Sequence, residues 1–312
     1  MKTKWVILII VGAILVGAYY QLDLEKKELD DSVWNILEGD TAPLSAGITY
    51  YQYASDNNGP IVVLVHGFST PSYIWDPTYK FLEQNGYRVL RYDLFGRGYS
   101  ERPDADYGLD FLVQQLQGLV VHLDIANEPI HLVGLSLGGP IVGAYTSQNP
   151  EHIQSLTLID PYTQPASSSE VFPMNMPFIG EFVTRIYLVP FMLPNSQADD
   201  FHQPERFPGW EEDYREQLEY TGFRQAILAT IRNMVDIAGI QEYEKLNDLD
   251  IPTLLLWGEE DRSIPYQDMQ LIQDVLPVVE FHTIPQAGHL PHYEQPQIVN
   301  PIIKEFININ ER

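Results

Sequence analysis

The sequence predicts an α/β fold: a mostly parallel central sheet, covered on both faces by helices and interrupted by one helical insertion. Three observations carry this expectation. Short, continuous apolar runs recur from about residue 48, separated by longer amphipathic segments; strands buried on both faces and alternating with helices read this way. The runs end on glycine or on turn-forming residues, as strands do. The alternation stops between about 162 and 249 and then resumes, which places an insertion between two strands of one sheet.

The elements follow in chain order. Residues 1–22 stand apart from the fold. Lys2 and Lys4 precede an uncharged stretch, Trp5 to Tyr20 (WVILIIVGAILVGAYY), and the acidic QLDLEKKELDD follows. A basic flank before an apolar run places the following chain outside the cytoplasm, and the run is at the short edge for a spanning helix. A membrane anchor is the leading expectation. The alternatives are a signal segment cleaved after the small residues Val16-Gly17-Ala18, giving a secreted or periplasmic protein, and a buried helix. Residues 23–46 then read as an acidic linker with a short helix around Val33 to Leu37.

The expected core spans 47–161 and 250–312. ITYYQYA (48–54) and IVVLVHG (61–67) are strands separated by the turn signal SDNNG. Ile74 to Asn85 is expected to be a helix ending at Gly86, YRVLRYD (87–93) a strand, and Asp106 to Leu123 a long amphipathic helix. IHLVGLS (130–136) runs from a strand into a helix, and SLTLID (155–160) is a further strand. PTLLLWG (252–258) and VVEFHTIP (278–285) complete the sheet, each with a helix behind it. The interval 162–249 is first rich in Pro, Met and aromatics, then helical, with Phe223, Ile227, Ile231 and Met234 at helical spacing. It leaves the carboxyl end of a strand, where such sheets bind ligands, so it is expected to act as a lid.

Bulk composition narrows the function. The 312 residues fit one large domain or one domain with an insertion. Lys+Arg number 18 against 43 Asp+Glu, a formal charge of -25, and this field repels nucleic acid. The chain has no cysteine, which excludes disulfides, thiolate catalysis and Cys-ligated metal. No feature sets an oligomeric state.

The chemistry centres on Gly134-Leu135-Ser136-Leu137-Gly138. A serine between small residues, after a strand and before a helix, sits on a sharp turn that exposes its hydroxyl. Pro140 is tolerated because the first helical turn needs no internal N–H donor. A serine hydroxyl needs a base. His289, after Gly288 in the loop following the last strand, is the expected base, with His292 the alternative. The orienting acid is expected at Asp261, in the loop opening on Gly258; Glu259 and Glu260 adjoin it, and Asp160 is the rival position. The oxyanion donors are expected to be the backbone N–H groups of Leu137 and Phe68. His66 is expected to hold the Phe68 loop.

Four signatures fall in order: His66-Gly67-Phe68, DLFGRGYS (93–100), GLSLGG (134–139), and WGEED (257–261) with AGHLPHYEQP (287–296). On these, the chain from about Ile48 to Ile309 resembles the α/β-hydrolase-fold serine hydrolases of the esterase and lipase type. The resemblance implies a Ser136–His289–Asp261 triad, an acyl-enzyme mechanism, and neither metal nor organic cofactor. Haloalkane dehalogenases and epoxide hydrolases of this fold carry Asp where this chain has Ser136. The apolar start of the insertion (Phe172, Met174, Met176, Phe178, Phe182, Phe191) and the N-terminal segment together resemble membrane-tethered monoacylglycerol lipases. They imply a small apolar ester with a medium or long acyl chain as substrate, and the membrane as a partner through the N-terminus. Carbon–carbon bond hydrolysis and non-catalytic ligand binding are the alternatives.

Overall fold

The structure, a computed structural model, describes residues 2–311. Met1 and Arg312, the outermost residues of the expected N-terminal segment and of the expected core, lie outside the described residues.

Eight strands form one sheet: β1 (Asp40–Leu44), β2 (Gly47–Ala54), β3 (Ile61–Val65), β4 (Arg88–Tyr92), β5 (Ile130–Leu135), β6 (Ile153–Ile159), β7 (Thr253–Gly258) and β8 (Glu280–Ile284). Their spatial order is β1-β2-β4-β3-β5-β6-β7-β8. The β1–β2 and β2–β4 pairs are antiparallel and the others parallel. The chain thus has the α/β-hydrolase fold.

Strand alternation builds two cores. On β3, Ile61, Val63 and Val65 face one side, while Val62 and Leu64 face the other. The first side packs against helices α3 (Leu109–His122) and α4 (Gly138–Gln148), through Leu112, Leu116, Leu119, Ile141 and Val142. The second packs against α2 (Asp76–Gln84) and α8 (Pro296–Ile309), through Leu82, Val299, Ile303 and Phe306. Each fully buried aliphatic side chain here contributes roughly 1.5–3 kcal/mol relative to exposure.

Between β6 and β7 the insertion has its own core. Helix α5 (Phe223–Asn233) turns Phe223, Ile227 and Ile231 inward against Val171, Leu188, Leu193 and Tyr214. Helix α6 (Gly239–Glu244) returns the chain to the first core through Tyr243, and after β7 helix α7 (Met269–Val275) joins the same core through Ile272.

Beyond shifts of one or two residues at strand ends, the structure differs from expectation in these places. The long helix starts at Leu109 rather than Asp106, because Tyr107 takes φ 59° and Gly108 is extended. The helix expected from Ile74 begins as a 3₁₀ turn (Ser72–Trp75) and becomes α-helical at Asp76. Residues 23–46 are not a free linker. Asp40–Leu44 pairs with β2, and the segment after residue 22 is bonded to the insertion, with Lys27 bridging Tyr220. A short helix does form, at Asp31–Trp34.

Helix α1 (Lys2–Gln21) carries the apolar N-terminal run. Its window Lys4–Gln21 has mean hydropathy 1.7 and is long and apolar enough to cross a membrane. None of that window is buried, which removes the buried-helix alternative.

Candidate active site

Ser136 occupies the turn between β5 and α4, with φ 52°, a left-handed conformation that non-glycine residues rarely adopt. Hydrogen bonds hold the turn closed. The Ser136 N–H donates to the Ile159 carbonyl at 3.0 Å, and the Ser136 carbonyl accepts from Gly139 at 2.9 Å and from Tyr162 at 3.0 Å. The flanking glycines are required by close approach. A Cβ on Gly134 would lie 2.6 Å from the Gly138 carbonyl oxygen and from Val142 Cγ2, and one on Gly138 would lie 2.3 Å from the Val65 carbonyl oxygen. The helix therefore presses on its own strand and on β3, which leaves the serine at the tip.

The loop after β8 brings in His289. Its Nδ1 donates to Asp261 Oδ2 at 2.8 Å, and the Asp261 carboxylate is fully buried. Asp261 Oδ1 accepts from the N–H groups of Ser263 (2.7 Å) and Ile264 (3.1 Å). Burial acts to lower the His289 pKa, but the charge and hydrogen bond of Asp261 and the charge of Asp200 outweigh it and raise the imidazole above its ordinary value. Burial acts in the opposite direction on Asp261, and its bonds to His289 and the two N–H groups hold the carboxyl below its ordinary value.

The two acid positions read from the sequence turn out to be neighbours. Asp160 follows β6 and Asp261 follows β7, and these strands are paired. Donor atoms of Asp160, Asp261 and His289 lie within 4.8 Å of one another. Asp160 Oδ1 accepts from the Gly258 N–H at 2.8 Å, while Oδ2 is buried and meets no hydrogen-bond donor among the described residues. Burial, reinforced by the Asp261 charge, pushes the Asp160 carboxyl well above its ordinary value, so of the two acids Asp160 is the one that favours the protonated form. These three groups would also be the donor set for a cation; a proton between the two carboxylates neutralises the same excess charge.

Ser136 and His289 line one cavity of about 540 Å³, together with Phe68, Leu193, Met234 and Ile264. The N–H groups of Leu137 and Phe68 have no hydrogen-bond acceptor among the described residues. They are free to bind a ligand oxygen.

The other histidines are fixed elsewhere. His66 Nε2 accepts from the Leu94 N–H at 2.8 Å, and Nδ1 donates to the Gly67 carbonyl at 3.0 Å. Burial, with the Arg97 charge, pushes it down to about 3, so it serves the loop as a neutral ring. His292 donates from Nε2 to the Ile74 carbonyl at 3.1 Å and packs on Trp75 at 4.3 Å. Burial pushes it down to about 3, and it does not line the cavity.

Three supporting residues were not singled out for these tasks by sequence. Arg97 is fully buried and donates to the Phe68 carbonyl (2.7 Å), the Phe95 carbonyl (3.1 Å) and Thr230 Oγ1 on α5 (2.8 Å). It ties the Phe68 loop to the insertion, and it stays cationic at neutral pH although burial lowers it to about 10. Glu294 accepts from the N–H groups of Gly288, His202 and Gln203 at 2.8–3.0 Å, which fixes the His289 loop against the insertion; its place in the AGHLPHYEQP signature was the available signal. Asp200, from the insertion, lines the cavity, and burial raises it to about 6; nothing in its surrounding sequence marks it.

Comparison with known proteins agrees with this fold. A family described as alpha/beta hydrolase fold matches residues 60–296. The chain is 26% identical to "Monoacylglycerol lipase abhd6-B" of Xenopus laevis, over 83% of this chain and 78% of that protein. It is 28% identical to "Epoxide hydrolase 3" of Xenopus tropicalis, over 84% and 75%. Among solved structures, a thermophilic esterase from Thermogutta terrifontis superposes with a TM-score of 0.74 at 25% identity, covering 88% of this chain and all of that one (100%).

Proposed function

The chain belongs to the alpha/beta hydrolase fold family, and from that premise we propose that it is a serine hydrolase of carboxylic esters with a Ser136–His289–Asp261 triad. The observation that carries this reading is the strained Ser136 turn facing the same cavity as a His289 ring already bonded to a buried carboxylate. Ser136 Oγ attacks the ester carbonyl while His289 Nε2 accepts its proton. Asp261 holds Nδ1 protonated, so Nε2 presents its lone pair, and stabilises the imidazolium that forms. The Leu137 and Phe68 N–H groups bind the oxyanion; one such donor is worth roughly 2.7–4 kcal/mol in the transition state. His289 then protonates the leaving alcohol, and a water activated by the same ring releases the acid. Every step uses this chain's own residues.

The substrate we propose is a neutral ester with a medium or long acyl chain, such as a monoacylglycerol. Leu193, Met234, Ile264 and Phe68 give the cavity an apolar wall, and the acidic chain disfavours anionic esters. Residues 162–249 serve as the lid, since Leu193, Gln197 and Met234 come from that interval. Epoxide opening in this fold uses an Asp at the position of Ser136, which speaks against carrying over that relative's activity. Helix α1 is read as an anchor that leaves the hydrolase domain outside the cytoplasm. A panel of p-nitrophenyl esters and monoacylglycerols against a vinylogous diketone tests the substrate class. Turnover of the esters, rising with acyl length, is expected; turnover of the diketone alone would replace ester with carbon–carbon hydrolysis.

A further inference from the structure

We infer that the exposed apolar face at the start of the insertion, carried by Phe178, Ile179, Tyr187, Phe191 and Met192, rests in the surface of the bilayer that α1 enters. The inference builds on the anchor reading of α1 and adds a second, separate contact with lipid.

The chain leaving α1 is bonded to this face. Tyr19 stacks on Phe182 with ring centroids 6.0 Å apart and 8° between planes. Arg185 lies 4.0 Å over the Tyr19 ring and donates to the Tyr19 carbonyl at 2.7 Å. Arg185 also pairs with Asp23 at 2.6 Å; Arg224 pairs with Asp23 at 2.7 Å and with Glu25 at 2.6 Å. The end of the anchor is thus clamped to one helical run, Ile179–Val183 continuing through Thr184–Met192. Phe178 lies four residues before Phe182, and Phe191 six residues after Arg185.

The composition of the run suits lipid. From Val171 to Ala198 the only charged side chains are Glu181 and Arg185, in a chain that is 20% charged overall. Both are paired, Glu181 with Arg232 at 2.9 Å and Arg185 with Asp23. Phe178 is 88% exposed and Tyr187 56%. Large contiguous apolar surface on a soluble protein marks a contact site, and a bilayer already held beside the clamp is the surface at hand. The next residue, Leu193, lines the Ser136 cavity. The helix that continues the run, Leu193–Ser196, lines the cavity with Leu193 and Ser196, so the lipid-facing run leads directly into the cavity wall, a short route for an acyl chain.

The absence of cysteine from the chain makes single-site labelling direct. Phe178→Cys, Phe191→Cys, Ile9→Cys and Val278→Cys are each labelled with NBD on the full-length protein in phosphatidylcholine vesicles. Val278 is 90% exposed just before β8, at the end of the sheet opposite the insertion. With brominated phosphatidylcholine, the labels at 9, 178 and 191 are expected to lose about half or more of their emission, as for groups 5–10 Å into the interface, while the label at 278 is unchanged. Quenching at 9 without quenching at 178 and 191 overturns the inference and leaves the anchor reading standing. No quenching at 9 either overturns both. A blue-shifted but unquenched label at 178 also overturns it, since a second copy of the chain would then be the cover.

Discussion

Replacing Asp160 by Asn tests how the buried acid pair shares its charge. At the outer separation of 4.8 Å, two carboxylates at an effective dielectric of about 20 repel by about 3.5 kcal/mol, and burial adds to the cost of the second charge. The pair therefore favours a single negative charge. Asp261 accepts from His289, Ser263 and Ile264, whereas among the described residues Asp160 accepts only from Gly258, so the proton belongs on Asp160. Asn mimics that neutral state: its oxygen can accept from Gly258 and its NH₂ can face Asp261. The assay is the pH profile of kcat/KM. His289 must be neutral to accept a proton, and its pKa is raised above the ordinary 6.5, so activity falls as pH drops through a value above 6.5. With Asp160→Asn this acidic limb is expected to stay within about half a unit, and activity within about tenfold. If Asp160 were ionised, removing its charge would lower the His289 pKa and move the limb clearly toward lower pH. A clear shift in that direction would refute the assignment of the proton. Asp261→Asn provides the contrast, with an expected loss of about 10⁴ in kcat, as for the acid of a serine triad.

Further outcomes follow from the same geometry. His289→Ala should abolish ester turnover, whereas His292→Ala should keep activity and lose about 1–3 kcal/mol of stability in urea denaturation, from the bond to Ile74 and the packing on Trp75. Gly138→Ala places a methyl 2.3 Å from the Val65 carbonyl oxygen and should cost about 1–3 kcal/mol or more of stability; a urea midpoint equal to that of the parent would contradict the close approach. Arg97→Met removes the donor to the Phe68 carbonyl and should lower kcat by about tenfold or more with little change in KM, as for a loss felt only in the transition state; a rise in KM alone would place Arg97 outside oxyanion positioning.

Much of the fold is legible in the sequence because its strands are buried on both faces. Ile61 to Val65 reads as an unbroken apolar run for that reason, and Ile130 to Leu135 as one interrupted only by His131 and Gly134. Strand β1 escapes detection because only Ala42 of its five residues is buried, so it shows no period, and Pro43 argues against a strand. The Ser136 turn is legible because its glycines answer to local collisions. The acid was ambiguous between Asp160 and Asp261 for a topological reason: adjacent parallel strands end at the same place, and pairing of β6 with β7 cannot be read from either segment alone. The clamp between Asp23 and Arg185 joins positions 162 residues apart. Each partner taken singly looks like an ordinary surface charge, so no local pattern reveals it.

The central claim is that Ser136 is the nucleophile. Intact-mass measurement after incubation with a fluorophosphonate, followed by peptide mapping, tests it most directly. A single adduct on Ser136, absent from Ser136→Ala, is the predicted result; an unlabelled protein, or undiminished labelling of the Ser136→Ala variant, would contradict it.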